Sequence, residues 1–195
     1  MRREGGEGEQ TLSGSQILRA VKALRIFEWK DAMDIQKIYQ YALQREKEGK
    51  RFFEENAARL SHAAAVGAFK TLAGEEQKHI EFIQRQLDLL QANQAPDATL
   101  GVPGEGEGFF ALRAATESLD QTVLEAMVAD LPVLRTAYLI ERDFAEFYEL
   151  AAGKSEGQAK ATLEMLAAWE RGHEKLFKNL HDRAFEEYAQ MPWGG

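Results

Sequence analysis

Two stretches of this chain repeat one pattern of charged side chains at places where a helix should be apolar. A lone glutamate, Glu46, is followed 30 residues later by Glu76 and, three positions on, by His79. Glu141 is followed 29 residues later by Glu170 and, again three on, by His173. Each set interrupts an apolar stripe of helical spacing: Tyr39, Ala42, Gly49 and Phe53 around Glu46, and Phe69, Leu72, Ile83 and Leu87 around Glu76 and His79. The second half matches, with Leu134, Tyr138, Phe144 and Tyr148 around Glu141, and Leu163, Leu166, Phe177 and Leu180 around Glu170 and His173. Each lone glutamate is followed at six and seven positions by two aromatic residues, Phe52 and Phe53 or Phe147 and Tyr148. The chain therefore reads as two copies of one helical pair.

Counting alone places the two sets together. In an antiparallel helical hairpin, residues equally far from the turn lie side by side. The midpoint between Glu46 and the Glu76/His79 pair falls at Ser61 and His62, and that between Glu141 and the Glu170/His173 pair falls at Glu156 and Gly157, within the turn-rich "AAGKSEGQ". About 15 residues on each arm, at about 1.5 Å per residue, put both sets roughly 22 Å from their turns. Two hairpins packed together then present all six side chains in one layer. The expected fold is all-α, an antiparallel four-helix bundle of two hairpins, with helix A at about 31–60, B at 62–92, a crossover at 93–131, C at 132–152 and D at 158–189 within a bundle domain 31–190. Residues 1–30 form a separate segment, Gly/Glu/Ser-rich up to 16, with a short amphipathic helix through Ile17, Leu18, Val21, Leu24 and Phe27. That helix also carries Arg19, Lys22 and Arg25, but packing against this chain or its oligomer is the preferred reading over a membrane-surface role. Residues 109–130 read as helical, and Pro132 either kinks the chain or begins helix C.

Four glutamates on core stripes repel one another and lose hydration, at a cost of several kcal/mol per ion unless they are protonated or paired. Two divalent cations would cancel the four charges, with two neutral imidazoles completing the set. Glu and His three apart share a helix face, so one can bridge two ions while the other caps one. Carboxylate and imidazole ligands suit iron or manganese, and the affinity order also admits zinc. The chain has no cysteine, which removes disulfides, thiol nucleophiles, iron–sulfur clusters and Cys-ligated zinc. A net charge of −8 argues against nucleic acid as the main partner. No apolar run approaches a membrane span and no apolar signal region follows the first arginines, so the expected location is the cytoplasm.

With "EKEGKRFF" from Glu46 and "LAGEEQKHIEF" across Glu76 and His79, the chain resembles the ferritin-like di-iron carboxylate proteins, and rubrerythrins most, over about residues 31–185. The resemblance implies a di-metal site ligated by Glu46, Glu76, His79, Glu141, Glu170 and His173, with Glu76 and Glu170 as bridges and Glu46 and Glu141 as terminal carboxylates. It further implies a long crossover between the hairpins, two iron ions per site, and oxidation of those ions by O2 or H2O2. Two features depart from rubrerythrins: Phe144 stands where a further glutamate is common, and the absence of Cys means no rubredoxin, so electrons must come from an external donor protein. Ferroxidase chemistry at a six-ligand site, like that of bacterioferritins, is the closer analogy.

The expectation is a di-iron oxidoreductase, peroxidase or ferroxidase, assembled as a homo-oligomer such as a dimer. Alternatives are iron storage or handling, dimanganese catalase-like chemistry, and a zinc-bound or vestigial scaffold bundle. One residue outside the six is singled out by the asymmetry between repeats. Tyr148 stands seven past Glu141, where the first repeat has Phe53, and helical side chains lean toward the N-terminus, so its hydroxyl should reach back to a ligand carboxylate on a neighbouring helix. His62 and His181 fit no such set and are expected to be solvated or packed.

Overall fold

The computed structural model describes residues 34–60, 63–101 and 128–190. The sequence readings for residues 1–30, for Ser61 and His62, and for most of 109–130 lie outside these. All regular structure among the described residues is helical: α1 (Ile35–Ala57), α2 (Ala63–Gln91), α3 (Leu131–Ala152) and α4 (Gly157–Gln190), with single 3-10 turns at Ala98–Leu100 and Val128–Asp130. The four helices fall within the ranges expected or one residue beyond them. None is long and apolar enough to cross a membrane.

Local chemistry fixes the helix ends. Asp34 caps α1 by accepting from the backbone N–H groups of Gln36 and Lys37, at 3.1 and 3.4 Å. At the end of α2, Asn93 adopts φ 57°. That left-handed residue lets the Asn93 N–H reach the Leu90 carbonyl and the Gln94 N–H reach the Leu89 carbonyl, at 3.0 and 2.8 Å, which satisfies carbonyls the helix would leave open. Pro132 resolves in favour of a helix start, lying in the first turn of α3, where its missing N–H costs nothing. Gly157 opens α4 with φ +57°, a conformation that residues with a Cβ rarely adopt.

Within each pair, α1 with α2 and α3 with α4, the helices pack along each other in opposite directions. Moving away from the connection at 58–62, Phe53 meets Phe69 (ring centroids 5.4 Å apart) and Glu46 then meets His79 (3.3 Å). α3 lies along α4 in the same manner, and α1 also touches α3. Buried apolar side chains form two clusters rather than one. The first holds Tyr39 and Ala42 of α1, Phe82 and Ile83 of α2, Phe144 and Tyr148 of α3, and Leu163 and Leu166 of α4. The second holds Phe53 of α1, Phe69 and Leu72 of α2, Leu134 and Ala137 of α3, and Leu176, Phe177 and Leu180 of α4. On α1, α2 and α4 the gap between the clusters falls at the charged residues, and on α3 Glu141 lies at the edge of the first cluster, beside Ile140. Tyr138 departs from its expected core position and is half-buried, its ring edge-on to His181, while Ala137 takes the core place beside it.

The start of the crossover is tied down by one buried side chain. Gln86 donates from Nε2 to the Asp97 carbonyl (2.9 Å) and accepts from the Asp97 N–H at Oε1 (2.8 Å), closing a two-bond ring with the backbone. Leu100 then packs on the first apolar cluster, and a Cβ at Gly101 would sit 2.4 Å from the terminal methyl of Met165 on α4. Gln86→Leu would strand both backbone groups of Asp97. We expect a loss of about 1–3 kcal/mol in urea unfolding, with the helical circular dichroism kept.

Candidate metal centre

The gap between the apolar clusters is filled by the six residues singled out from sequence. Glu46, Glu76, Glu141 and Glu170 are each 0 % exposed, and His79 and His173 are nearly as deeply buried. Each arrives there for a local reason: it continues an apolar stripe, so the packing that buries its neighbours buries it as well. Glu76, His79, Glu170 and His173 each offer a ligand atom within 4.8 Å of the others, and this group could hold a metal ion.

The distances separate two kinds of carboxylate. Glu76 presents Oε2 to His79 Nδ1 (3.5 Å) and Oε1 to His173 Nδ1 (3.6 Å). Glu170 likewise presents Oε1 to His79 Nδ1 (2.8 Å) and Oε2 to His173 Nδ1 (3.4 Å). Each of these two carboxylates thus spans both imidazoles with one oxygen apiece. Glu46 instead faces His79 through Oε2 (3.3 Å), and Glu141 faces His173 through Oε2 (3.3 Å). Both imidazoles turn Nδ1 inward, and their rings lie nearly parallel, 5.2 Å apart and 15° from coplanar.

Electrostatics shows that the set lacks compensating charge of its own. Among the described residues, no hydrogen bond reaches either oxygen of Glu76 or of Glu141. Burial, and then the charges of Glu170 and Glu46, push the Glu76 carboxyl well above its ordinary range; burial, Glu76 and Glu170 do the same to Glu141. Burial alone would lower His79, but the charges of Glu170 and Glu76 outweigh it and hold the imidazole well above its ordinary value. Glu170 is the counterpart: burial would raise it, yet His79 and His173 draw it far below the usual carboxylate range. Protons therefore take the places that cations would take. Such a donor set, four carboxylates and two imidazoles with unmatched buried oxygens, fits hard or borderline divalent ions.

Three side chains frame the set. The Tyr148 hydroxyl donates to Glu46 Oε1 across the α1–α3 contact. Burial, and then the Glu46 charge, hold the Tyr148 phenol well above its ordinary value, so it remains a donor at neutral pH. Phe144, one turn beyond Glu141, is buried against Gly49, whose missing Cβ would lie 3.2 Å from the ring, and the Arg45 guanidinium covers it 5.1 Å from its centroid. Trp169 stacks on His79 with centroids 4.9 Å apart and planes 9° from parallel. Sequence reasoning missed Trp169, because a residue adjacent to Glu170 points about 100° away from the core stripe. Its one available signal was an aromatic residue at a place where the first repeat has Glu75. His181 takes no part in the set and lies beside Asp182, Tyr138 and Phe185; His62 lies outside the described residues.

Comparison with protein families, with curated proteins and with solved structures finds no match for this chain.

The titration shifts fix the sign of a pH effect on the metal-free protein. Carboxyls raised above their ordinary 4.5 contribute stability that is fully present below that value and lost as pH rises through the folded one. His79, raised above 6.5, contributes stability lost in the same direction. The lowered Glu170 contributes stability present above 4.5, which disappears only in strong acid. Chelator-treated protein should therefore melt at lower temperature as pH rises from about 5 to about 8. Bound divalent ions, which need deprotonated ligands, should reverse that slope. A melting temperature of the chelated protein that is flat or rising across this range would contradict the charge assignment.

Proposed function

We propose that this chain is a ferritin-like di-iron carboxylate protein that couples oxidation of Fe(II) to reduction of O2 or H2O2, with re-reduction by an external donor. The observation that carries the reading is the arrangement of oxygens: two buried carboxylates each span both imidazoles, and two more each face one. That is the division into bridging and terminal ligands which a pair of cations requires. Two helical hairpins joined by the crossover of about 93–131 supply the ferritin-like arrangement. Glu76 and Glu170 would be shared by the two ions, while Glu46 with His79 would complete one and Glu141 with His173 the other.

When bound, two ferrous ions supply one electron each, enough to take H2O2 with two protons to two waters, or O2 with two protons to H2O2. The chain itself supplies position and dryness. Leu72, Phe53 and Phe177 close one side of the layer and Phe144 with Leu166 the other, so the carboxylates keep their charge–charge interactions undiluted by water. Tyr148 fixes the Glu46 carboxylate through its hydroxyl proton. Phe144 leaves no further carboxylate beside Glu141, which favours a fixed ligand set over one that exchanges ligands between redox states.

Anaerobic loading with Fe(II), followed by titration with H2O2 under near-ultraviolet absorption, tests the reading. We expect saturation at about two Fe(II) per chain and two Fe(II) oxidised per H2O2, faster than free Fe(II) in the same buffer. Oxidation no faster than free Fe(II) would overturn it in favour of a scaffold holding a redox-silent ion. Uptake far beyond two irons per chain would move the assignment to iron storage.

A further inference from the structure

The two repeats contribute equally to the six charged positions but unequally to what surrounds them. Both side chains that brace the set from outside come from the second repeat, and both act on residues of the first. Tyr148 of α3 donates to Glu46 of α1. Trp169 of α4 lies face to face on His79 of α2, 4.9 Å away. The corresponding residues of the first repeat do neither. Phe53, at the place of Tyr148, has no hydroxyl and sits among Phe52, Phe69 and Phe177. Glu75, at the place of Trp169, is partly buried and pairs with Lys78 at 2.9 Å. Neither oxygen of Glu141, the partner of Glu46 in the repeat, accepts a hydrogen bond among the described residues.

We propose that the two halves of the centre bind divalent cations unequally: the Glu46–His79 half fills first and holds its ion more tightly, with Tyr148 and Trp169 as the positioning residues responsible. This rests on the metal-centre reading above and adds an order of filling to it. Two physical effects act in the same direction. Outer groups that fix a ligand's orientation raise metal affinity by roughly tenfold to a hundredfold each, because less freedom is lost when the ion binds. An imidazole that has given its lone pair to a cation is electron-poor, and the indole face of Trp169 attracts such a ring more than a neutral one. Trp169 also blocks rotation of His79 away from the layer, and the parallel His173 ring closes the opposite face. The consequence for the proposed chemistry is one resident ion and one exchangeable ion. A centre of that kind can take up and release iron at the Glu141–His173 half without unloading the other.

Titration of the chelated full-length protein with Co(II), followed by visible absorption and calorimetry, tests the order of filling without any redox turnover. We expect two steps separated by about tenfold or more in affinity. His79→Ala should abolish the tighter step and His173→Ala the weaker one. Tyr148→Phe and Trp169→Leu should each bring the tighter step toward the weaker and leave the weaker unchanged. The effect of Trp169→Leu should vanish when combined with His79→Ala, which a general packing defect would not do. Circular dichroism identifies any variant that has not folded; Tyr148→Phe removes a single oxygen and keeps the test available. Two equal steps, loss of the tighter step in His173→Ala, or an equal effect of Tyr148→Phe on both steps would overturn the proposal while leaving the metal centre standing. No Co(II) binding by the unaltered protein would instead remove the metal centre itself.

Discussion

Charge burial at the middle of the core is the constraint on which the rest of this structure depends. A bundle of four helices with an uninterrupted apolar interior would be stable without further help. Here each helix gives up a central layer of that interior to carboxylates and imidazoles, and the apolar residues divide into two clusters above and below. Such a layer is unfavourable unless every charge is compensated, because the desolvation of a buried carboxylate exceeds what a single imidazole 3 to 4 Å away returns. The raised carboxyls and the strongly held proton on His79 are the protein's own compensation. A bound cation could supply the same compensation with more charge per site.

The layer also dictates architecture. Six charged side chains converge only if all four helices carry them at one height, so helix length and turn position decide whether the layer forms. The near-equal separations of 30 and 29 residues express this. A slip of one residue in either connection would rotate a helix by about 100° and carry its ligand out of the layer. Conditions on the ends are correspondingly tight: the Asp34 cap, the left-handed Asn93 and the Gln86 ring with Asp97 each fix where a helix stops or where the chain leaves it. Gln86 is a buried polar residue outside the charged layer, and it fixes where the chain runs after α2 through both backbone groups of Asp97.

The helices and the six charged residues were legible because both are written in periodicity. A stripe that repeats every three or four residues needs no knowledge of tertiary contacts, and a glutamate within it is visible as an exception. Tyr148 was legible for a related reason, since it lies on the same stripe as Glu141 and differs from its counterpart Phe53. Trp169, Gln86, Gly49 and the Ala137–Tyr138 exchange were not. Each depends on which neighbour a side chain meets across a helix interface, and that distance is not encoded in spacing along one helix. Gly49 was read as one more small member of a stripe; its role is to admit the Phe144 ring at 3.2 Å, a contact with no sequence-local signature.

Duplication explains both the symmetry of the layer and its asymmetry. Neither pair of helices can compensate its own charges: α1 and α2 together carry two carboxylates and one imidazole, and Glu76 uses its second oxygen on His173 of the other pair. The halves are therefore bound to each other by the layer, through the two carboxylates, Glu76 and Glu170, that each face both imidazoles. Positions one turn or one residue away are free of that restriction. There the second half has a phenol and an indole that touch the first half, while the first half has a phenylalanine within its aromatic cluster and a partly buried glutamate paired with Lys78. Tyr148 and Trp169 touch Glu46 and His79 without adding a carboxylate or an imidazole to the layer. Two halves with the same charged residues in this way have unlike surroundings, and the side chains beside the layer, rather than those within it, carry the difference.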